Sequence, residues 1–345
     1  MKYNKLGNTD ESVSLICLGT MTYGEQNTEA EGHEQMSYAL DQGINFFDTA
    51  EMYSVPGRKE TQGSTEHIMG TWFKKTGNRD KVVLASKVTG PLPYFEYIHH
   101  GVGFTKERIR QAIEGSLSRL QTDYIDLYQL HFPERKMNMF GVRNYEIHDA
   151  EWEDNMVETV ETLHGLIKEG KIKYWGVSNE SAWGVMRFKE ICKAIGCPQL
   201  VSIQNPYNLL NRTFEVGLSE IAIREKIGLL AYSPLAFGRL TGKFNKGEND
   251  PNWRINKFPR LSRYNGENSL KATEMYLEIA EKHKLTLTDM ALAFVNSRFF
   301  VTSNIIGATS MEQLKENINS VNVALSEEVM QDINHVNNLI PDPAP

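Results

Sequence analysis

The sequence predicts an α/β fold closed into a (β/α)8 TIM barrel, with an N-terminal hairpin plug and extra C-terminal helices. Three observations predict it. Short apolar runs rich in β-branched and aromatic residues recur eight times along the 345-residue chain. Segments of helical periodicity separate them, and eight alternating units is the number that closes into a barrel. The open, doubly wound alternative calls for G-x-G-x-x-G after the first strand. Here that turn reads GTMTYG (19–24), and Gly101-Val-Gly103 sits in a loop followed by Phe-Thr-Lys.

The predicted strands are 15–19, 44–50, 82–88, 124–131, 172–178, 200–205, 228–233 and 304–308. They are near-continuous hydrophobes that turn polar at their ends, as FFDTA does, which suits a parallel sheet covered on both faces. A hairpin over 3–14 would plug the bottom. Helices over 30–41, 65–75, 106–120, 155–168, 183–194 and 214–226 fill the first six gaps. Gly43, Gly77, Gly170 and Gly196 follow predicted helices, where a left-handed residue is easily accommodated. Thr105 is the expected N-cap of the third helix. The long last gap holds a polar stretch, 241–268, then helices over 270–283 and 289–297. Ser310-Met-Glu-Gln313 reads as a capping box, and a closing helix spans 327–337. No linker interrupts this pattern, so residues 1–345 read as a single domain.

A net charge of −7 argues against a general nucleic-acid binder, which needs a basic face. No apolar run approaches the roughly 18 residues of a membrane span. The N-terminus carries no apolar signal core. Three cysteines, Cys17, Cys192 and Cys197, with no C-x-x-C pair suit a reducing, cytoplasmic setting.

In such a barrel, chemistry belongs at the carboxyl ends of the strands. The second strand leads to Asp48 and then Tyr53, the third to Lys87, the fourth to His131. A carboxylate, a phenol, an amine and an imidazole converge on one mouth. Tyrosine titrates near 10, a reluctant acid at neutral pH. A neighbouring ammonium lowers that value, and Asp48 can hold Lys87 in place. His131 can bind a carbonyl oxygen while Tyr53 delivers a proton to it. Taken singly, an Asp at a strand end is commonly a cap and a loop Tyr commonly packs on the surface. A Lys closing a buried strand is different, because an unpaired buried ammonium is costly.

These residues lie within LGTMTYG (18–24), GINFFDTAEMYS (43–54), ASKV (85–88) and DYIDLYQLH (123–131). With GKIKYWGVSN (170–179), QNPYN (204–208), AYSPLAFGRLTGK (231–243) and IIGATSMEQLKENI (305–318), the whole chain resembles the aldo-keto reductase superfamily, and several fragments resemble one bacterial branch of it. The resemblance implies an enzyme that reduces aldehydes or ketones with NADPH, returning NADP+, and a catalytic tetrad on Asp48, Tyr53, Lys87 and His131. It implies cofactor contacts at Thr20, Met21 and Asp48. Ser178 and Asn179, with Gln204 beside them, would hold the carboxamide, and Tyr232 would stack on the nicotinamide. Ser233, Pro234, Leu235, Ala236, Gly238 and Lys243 would run along the pyrophosphate. Gly307, Thr309, Gln313, Glu316 and Asn317 would meet the adenosine. A 2′-phosphate wants Arg or Lys, and Arg260 and Arg263 of KFPRLSRYNGE are the candidates; where many relatives carry an Arg, this chain has Gln313.

Two other patterns are weaker. Gly238 to Lys243 is one residue short of a P-loop, and Phe244 replaces its Ser/Thr. His99, His100, His131 and His148 lack metal-ligand spacing, so no metal is expected and the loop histidines are read as solvated. Met21, Tyr23, Met52, Trp183 and Phe237, with parts of 91–103 and 132–150, are the expected walls for a small carbonyl substrate. A rival reading is an NADPH-binding sensor or auxiliary subunit, because QNPYN, SPLAFG and GATSMEQLKEN also resemble the potassium-channel branch. His131 stands where that branch tends to carry Asn. The sequence leaves the oligomeric state open.

Overall fold

The computed structural model describes residues 1–246, 250–258 and 263–345. Strands β1 (Tyr3–Lys5) and β2 (Ser12–Ser14) form an antiparallel hairpin. Then come β3 (Ile16–Gly19), β4 (Phe46–Asp48), β5 (Val83–Val88), β6 (Ile125–Leu130) and β7 (Ile172–Ser178). β8 (Ser202–Pro206), β9 (Gly228–Tyr232) and β10 (Val301–Ile306) follow. Each pairs in parallel with its neighbour, and β10 pairs with β3, so the sheet closes into an eight-stranded TIM barrel. Helices Glu29–Asp41, Ser64–Thr76, Lys106–Leu120, Met156–Lys168 and Ala182–Ile195 cover it in the expected order.

Successive strand residues face opposite sides, and this alternation builds the site. In β5, Leu84 and Val88 pack outward against the helices, while Val83 and Ala85 face the barrel interior. Lys87 continues that inward row. Phe46 and Asp48 do the same in β4, and Leu127 and Gln129 in β6. The lower interior is therefore apolar: Cys17, Phe46, Val83, Ala85, Leu127, Leu230 and Ile305 meet Leu6 and Val13 of the hairpin, which plugs the base. The next level up is polar.

Some local expectations give way. Strand β10 starts at Val301, ahead of the expected 304, because Thr302 and Ser303 mask its apolar character; its register against β9 shifts there. The helix expected over 214–226 divides into a 3-10 turn, Thr213–Val216, and a helix, Leu218–Arg224. Gly217, a poor helix residue, stands at the break with φ −148° and ψ −38°. Thr105 caps its helix through Arg108 N. Ser310 likewise accepts from Gln313 N, but the Gln313 side chain accepts from Thr309 N, so the reciprocal half of the box is missing. The full box forms instead at Thr28 and Glu31. Among the described residues, no helix is long and apolar enough to cross a membrane.

Candidate active site

Asp48, Tyr53, Lys87 and His131 meet at the carboxyl end of the barrel. Lys87 is fully buried, its Nζ 2.6 Å from Asp48 Oδ2, 2.7 Å from the Thr49 carbonyl and 3.5 Å from Tyr53 Oη. The other Asp48 oxygen accepts from Gln204 Nε2 at 2.8 Å and from Gln129 Nε2 at 3.4 Å. The His131 ring stands edge-on to Tyr53, centroids 5.7 Å apart, and stacks on Phe132 at 4.2 Å. The turn carrying Tyr53 is tied down by Glu51, which accepts from Thr89 N at 2.9 Å and pairs with buried Arg108 at 2.7 Å.

Environment sets the protonation states. Burial pulls the Lys87 ammonium down, but Asp48 and Tyr53 beside it hold it above the usual lysine value. Burial also raises Tyr53, and Lys87 offsets only part of that rise. The lowering expected from the sequence is thus outweighed, and Tyr53 stays a protonated phenol near neutrality. Burial, with Lys87 nearby, holds His131 well below its ordinary range, so its imidazole is neutral. His131 Nδ1 is buried without a hydrogen-bond partner.

Above these groups opens a cavity of about 1130 Å³. Its wall runs from Tyr53 and His131 past Tyr232 to Thr309 and Gln313. Tyr232 Oη donates to Asn179 Oδ1 at 2.6 Å, and Asn179 Nδ2 donates to the His131 carbonyl at 2.9 Å. Ser178 Oγ donates to the Gln204 carbonyl at 2.9 Å. The cavity exceeds the several hundred Å³ typical of a single small ligand. Its far end offers the N-terminus of helix Met311–Asn319, where backbone N–H groups favour anions. Lys243 and Arg254 line it with no carboxylate partner among the described residues. An elongated anionic dinucleotide fits this donor set.

Residues 15–338 match the model of the Aldo/keto reductase family. The chain belongs to that family. It is 47% identical to Protein tas of Escherichia coli (strain K12) over 346 aligned positions, covering 100% of both chains; this is the bacterial branch that the sequence fragments resemble. It is 35% identical to the uncharacterized oxidoreductase YrpG of Bacillus subtilis (strain 168), covering 97% of this chain and 96% of that one. It is 29% identical to a probable voltage-gated potassium channel subunit beta of Arabidopsis thaliana, covering 94% and 92%. The protein is thus an oxidoreductase of this family.

Within the reductase cavity, the structure gathers nearly all the residues singled out in the sequence. Thr20, Met21, Asp48, Ser178, Asn179 and Gln204 line one end. Ser233, Pro234, Leu235, Gly238 and Lys243 line the middle, and Gly307, Thr309, Gln313, Glu316 and Asn317 the other end. Ala236 is buried behind the loop, and Lys87 lies beneath Asp48 rather than on the wall. Arg263 faces the cavity beside Tyr232, whereas Arg260 lies outside the described residues. Met21, Met52 and Phe237 are wall residues. Tyr23 is not: it is fully buried, its hydroxyl on Gln35. Trp183 is half exposed and packs against Trp152 and Arg135 away from the cavity. His99 is not solvated either, since Leu92 O and Gly101 N engage its two ring nitrogens.

Sequence reasoning missed Gln129, Glu51 and Arg254. Gln129 was within reach, because the inward row of β6 runs Leu127, Gln129, His131. Arg254 sits in the polar stretch after β9, which has no periodicity to read. There, burial lowers its guanidinium to about 10, with Tyr53 close enough to act on it.

Proposed function

We propose that the reductase converts an aldehyde or ketone to its alcohol with NADPH, Tyr53 acting as general acid, and that the whole chain works as one domain. The observation that carries this reading is the buried chain from Asp48 through Lys87 to Tyr53 Oη beneath the cavity. When bound, NADPH supplies the hydride that the carbonyl carbon accepts. Tyr53, kept protonated by burial, gives its proton to the carbonyl oxygen as negative charge develops there. Lys87, held by Asp48, then faces the phenolate that remains and stabilises it. Neutral His131 donates a hydrogen bond to the same oxygen and orients it.

Ser178, Asn179 and Gln204 would hold the carboxamide, with Tyr232 against the ring. Lys243 and Arg254 would meet the phosphates. The cationic lining, with no carboxylate partner among the described residues, supports NADPH, whose 2′-phosphate adds anionic charge, over NADH.

The test is Tyr53→Phe beside the wild type, following NADPH oxidation over a panel of small aldehydes together with the NADPH dissociation constant. The expected result is loss of turnover by about a thousandfold or more, as for a general acid, with NADPH binding retained. Undiminished turnover in the variant would refute the assignment. NADPH binding by the wild type without turnover on any carbonyl would favour the sensor reading, which the similarity to the Arabidopsis channel subunit supports.

A further inference from the structure

Several of the buried or half-buried arginines have carboxylate partners. Arg79 pairs with Asp126 at 2.8 Å, Arg108 with Glu51 at 2.7 Å, Arg119 with Glu66 at 2.8 Å and Arg212 with Glu215 at 2.8 Å. Arg263, like Arg239 and Arg254, has none among the described residues. It lines the cavity, yet no carboxylate lies within 4.0 Å of its guanidinium among the described residues, and its Nε and Nη1 are buried without a hydrogen-bond partner. Leaving a buried cation and its N–H groups unmet is costly.

The surroundings offset only part of that cost. The guanidinium carbon lies 4.9 Å from the ring centroid of Tyr264, 5.4 Å from Phe237, 5.6 Å from Phe140 and 5.8 Å from Tyr232. Ring faces attract a cation, and the Tyr232 and Tyr264 hydroxyls accept from the guanidinium, but Nε–H and Nη1–H remain unmet. The unmet Nε–H and Nη1–H lie on different edges of the guanidinium, and a carboxylate oxygen meets either of them with a charge-assisted hydrogen bond.

Position says which ligand would bring that carboxylate. Phe140, from the loop after β6, packs on Phe132 at 5.9 Å, and Phe132 stacks on His131. Tyr232 reaches back through Asn179 to the His131 carbonyl. Arg263 therefore belongs to the wall that His131 and Tyr53 share. Lys243 and Arg254 remain for the phosphates.

We propose that Arg263 recognises a carboxylate on the carbonyl substrate, so that the preferred substrates are oxo acids. This rests on the carbonyl-reductase reading above. The guanidinium donates to the carboxylate from within its aromatic surround and fixes the distance between that group and the reacting carbonyl.

The test compares para-carboxybenzaldehyde with the neutral para-tolualdehyde, using NADPH and the wild type, Arg263→Met and Arg263→Lys. The wild type is expected to favour the carboxylate in kcat/KM. Arg263→Met should cut that preference by about 10- to 100-fold, the worth of a charge-assisted pair, mainly through KM. Arg263→Lys, which keeps the charge, should retain part of it. Loss by the same factor on both aldehydes would overturn the proposal, and so would weaker NADPH binding with the preference unchanged, which would make Arg263 a phosphate ligand of the cofactor. A second arm needs no turnover. Calorimetric titration of the protein, with and without NADP+, should show para-toluate binding tighter than para-toluamide in the wild type but not in Arg263→Met. Equal binding overturns the proposal. Selective toluate binding without turnover on any aldehyde supports the anion site while refuting the reductase reading.

Discussion

At Lys87, three oxygens surround one ammonium: Asp48 Oδ2, the Thr49 carbonyl and Tyr53 Oη. A lysine here is tolerable only because that shell is complete. His131, a few ångströms away, solves the same problem by staying neutral. That has a measurable consequence. Its pKa is depressed in the fold, so below about 6.5, the usual histidine value, the unfolded chain takes up a proton that the native state does not. Stability should then fall as pH drops from neutrality, by up to about 1.4 kcal/mol per pH unit from this residue. His131→Asn should flatten that slope in urea unfolding between pH 7 and 5; an equal slope would mean His131 protonates freely in the native protein. Asp48, Lys87 and His131 were legible in the sequence because each ends an apolar run with a group that burial alone would forbid. Arg254 and the aromatic surround of Arg263 were not, because they arise from contacts between loops distant in sequence.

Elements show where patterning suffices and where packing overrides it. The inward row of β5, Val83-Ala85-Lys87, is readable by counting alternate residues once the strand is placed. The break at Gly217 and the true start of β10 are less so, since glycine is tolerated in helices and Thr302-Ser303 look like loop. Gly70, in helix Ser64–Thr76, tests packing directly. Its Cβ would lie 2.2 Å from the Arg119 carbonyl of helix Lys106–Leu120. Alanine gains roughly 1 kcal/mol of helix propensity, whereas overpacking costs about 1–3 kcal/mol. With backbone as the obstacle, the clash should win, and Gly70→Ala should lower the urea midpoint. A higher midpoint would mean that the two helices separate at little cost.

The molecule as a whole is a barrel with an apolar floor and a polar ceiling, closed below by Leu6 and Val13. Eight apolar runs, together with the family resemblance, predicted its closure. Its closing hairpin has a specific cost when absent: removing residues 2–12 exposes the lower ring of Val83, Val201 and Leu230 and forfeits burial worth about 25 cal/mol per Å². The truncated protein should bind a hydrophobic dye and unfold at lower urea; an unchanged midpoint would mean that the floor seals itself.

The ceiling has another consequence. Asp48, Gln129 and Gln204 join β4, β6 and β8 by side-chain hydrogen bonds across the lumen. This lattice draws nothing from the loop of residues 132–152 above it. Apart from Phe132 and Phe140, which pack on His131 and Arg263, that loop can therefore vary as a lid, and descendants of this barrel can change diet while keeping the same hearth.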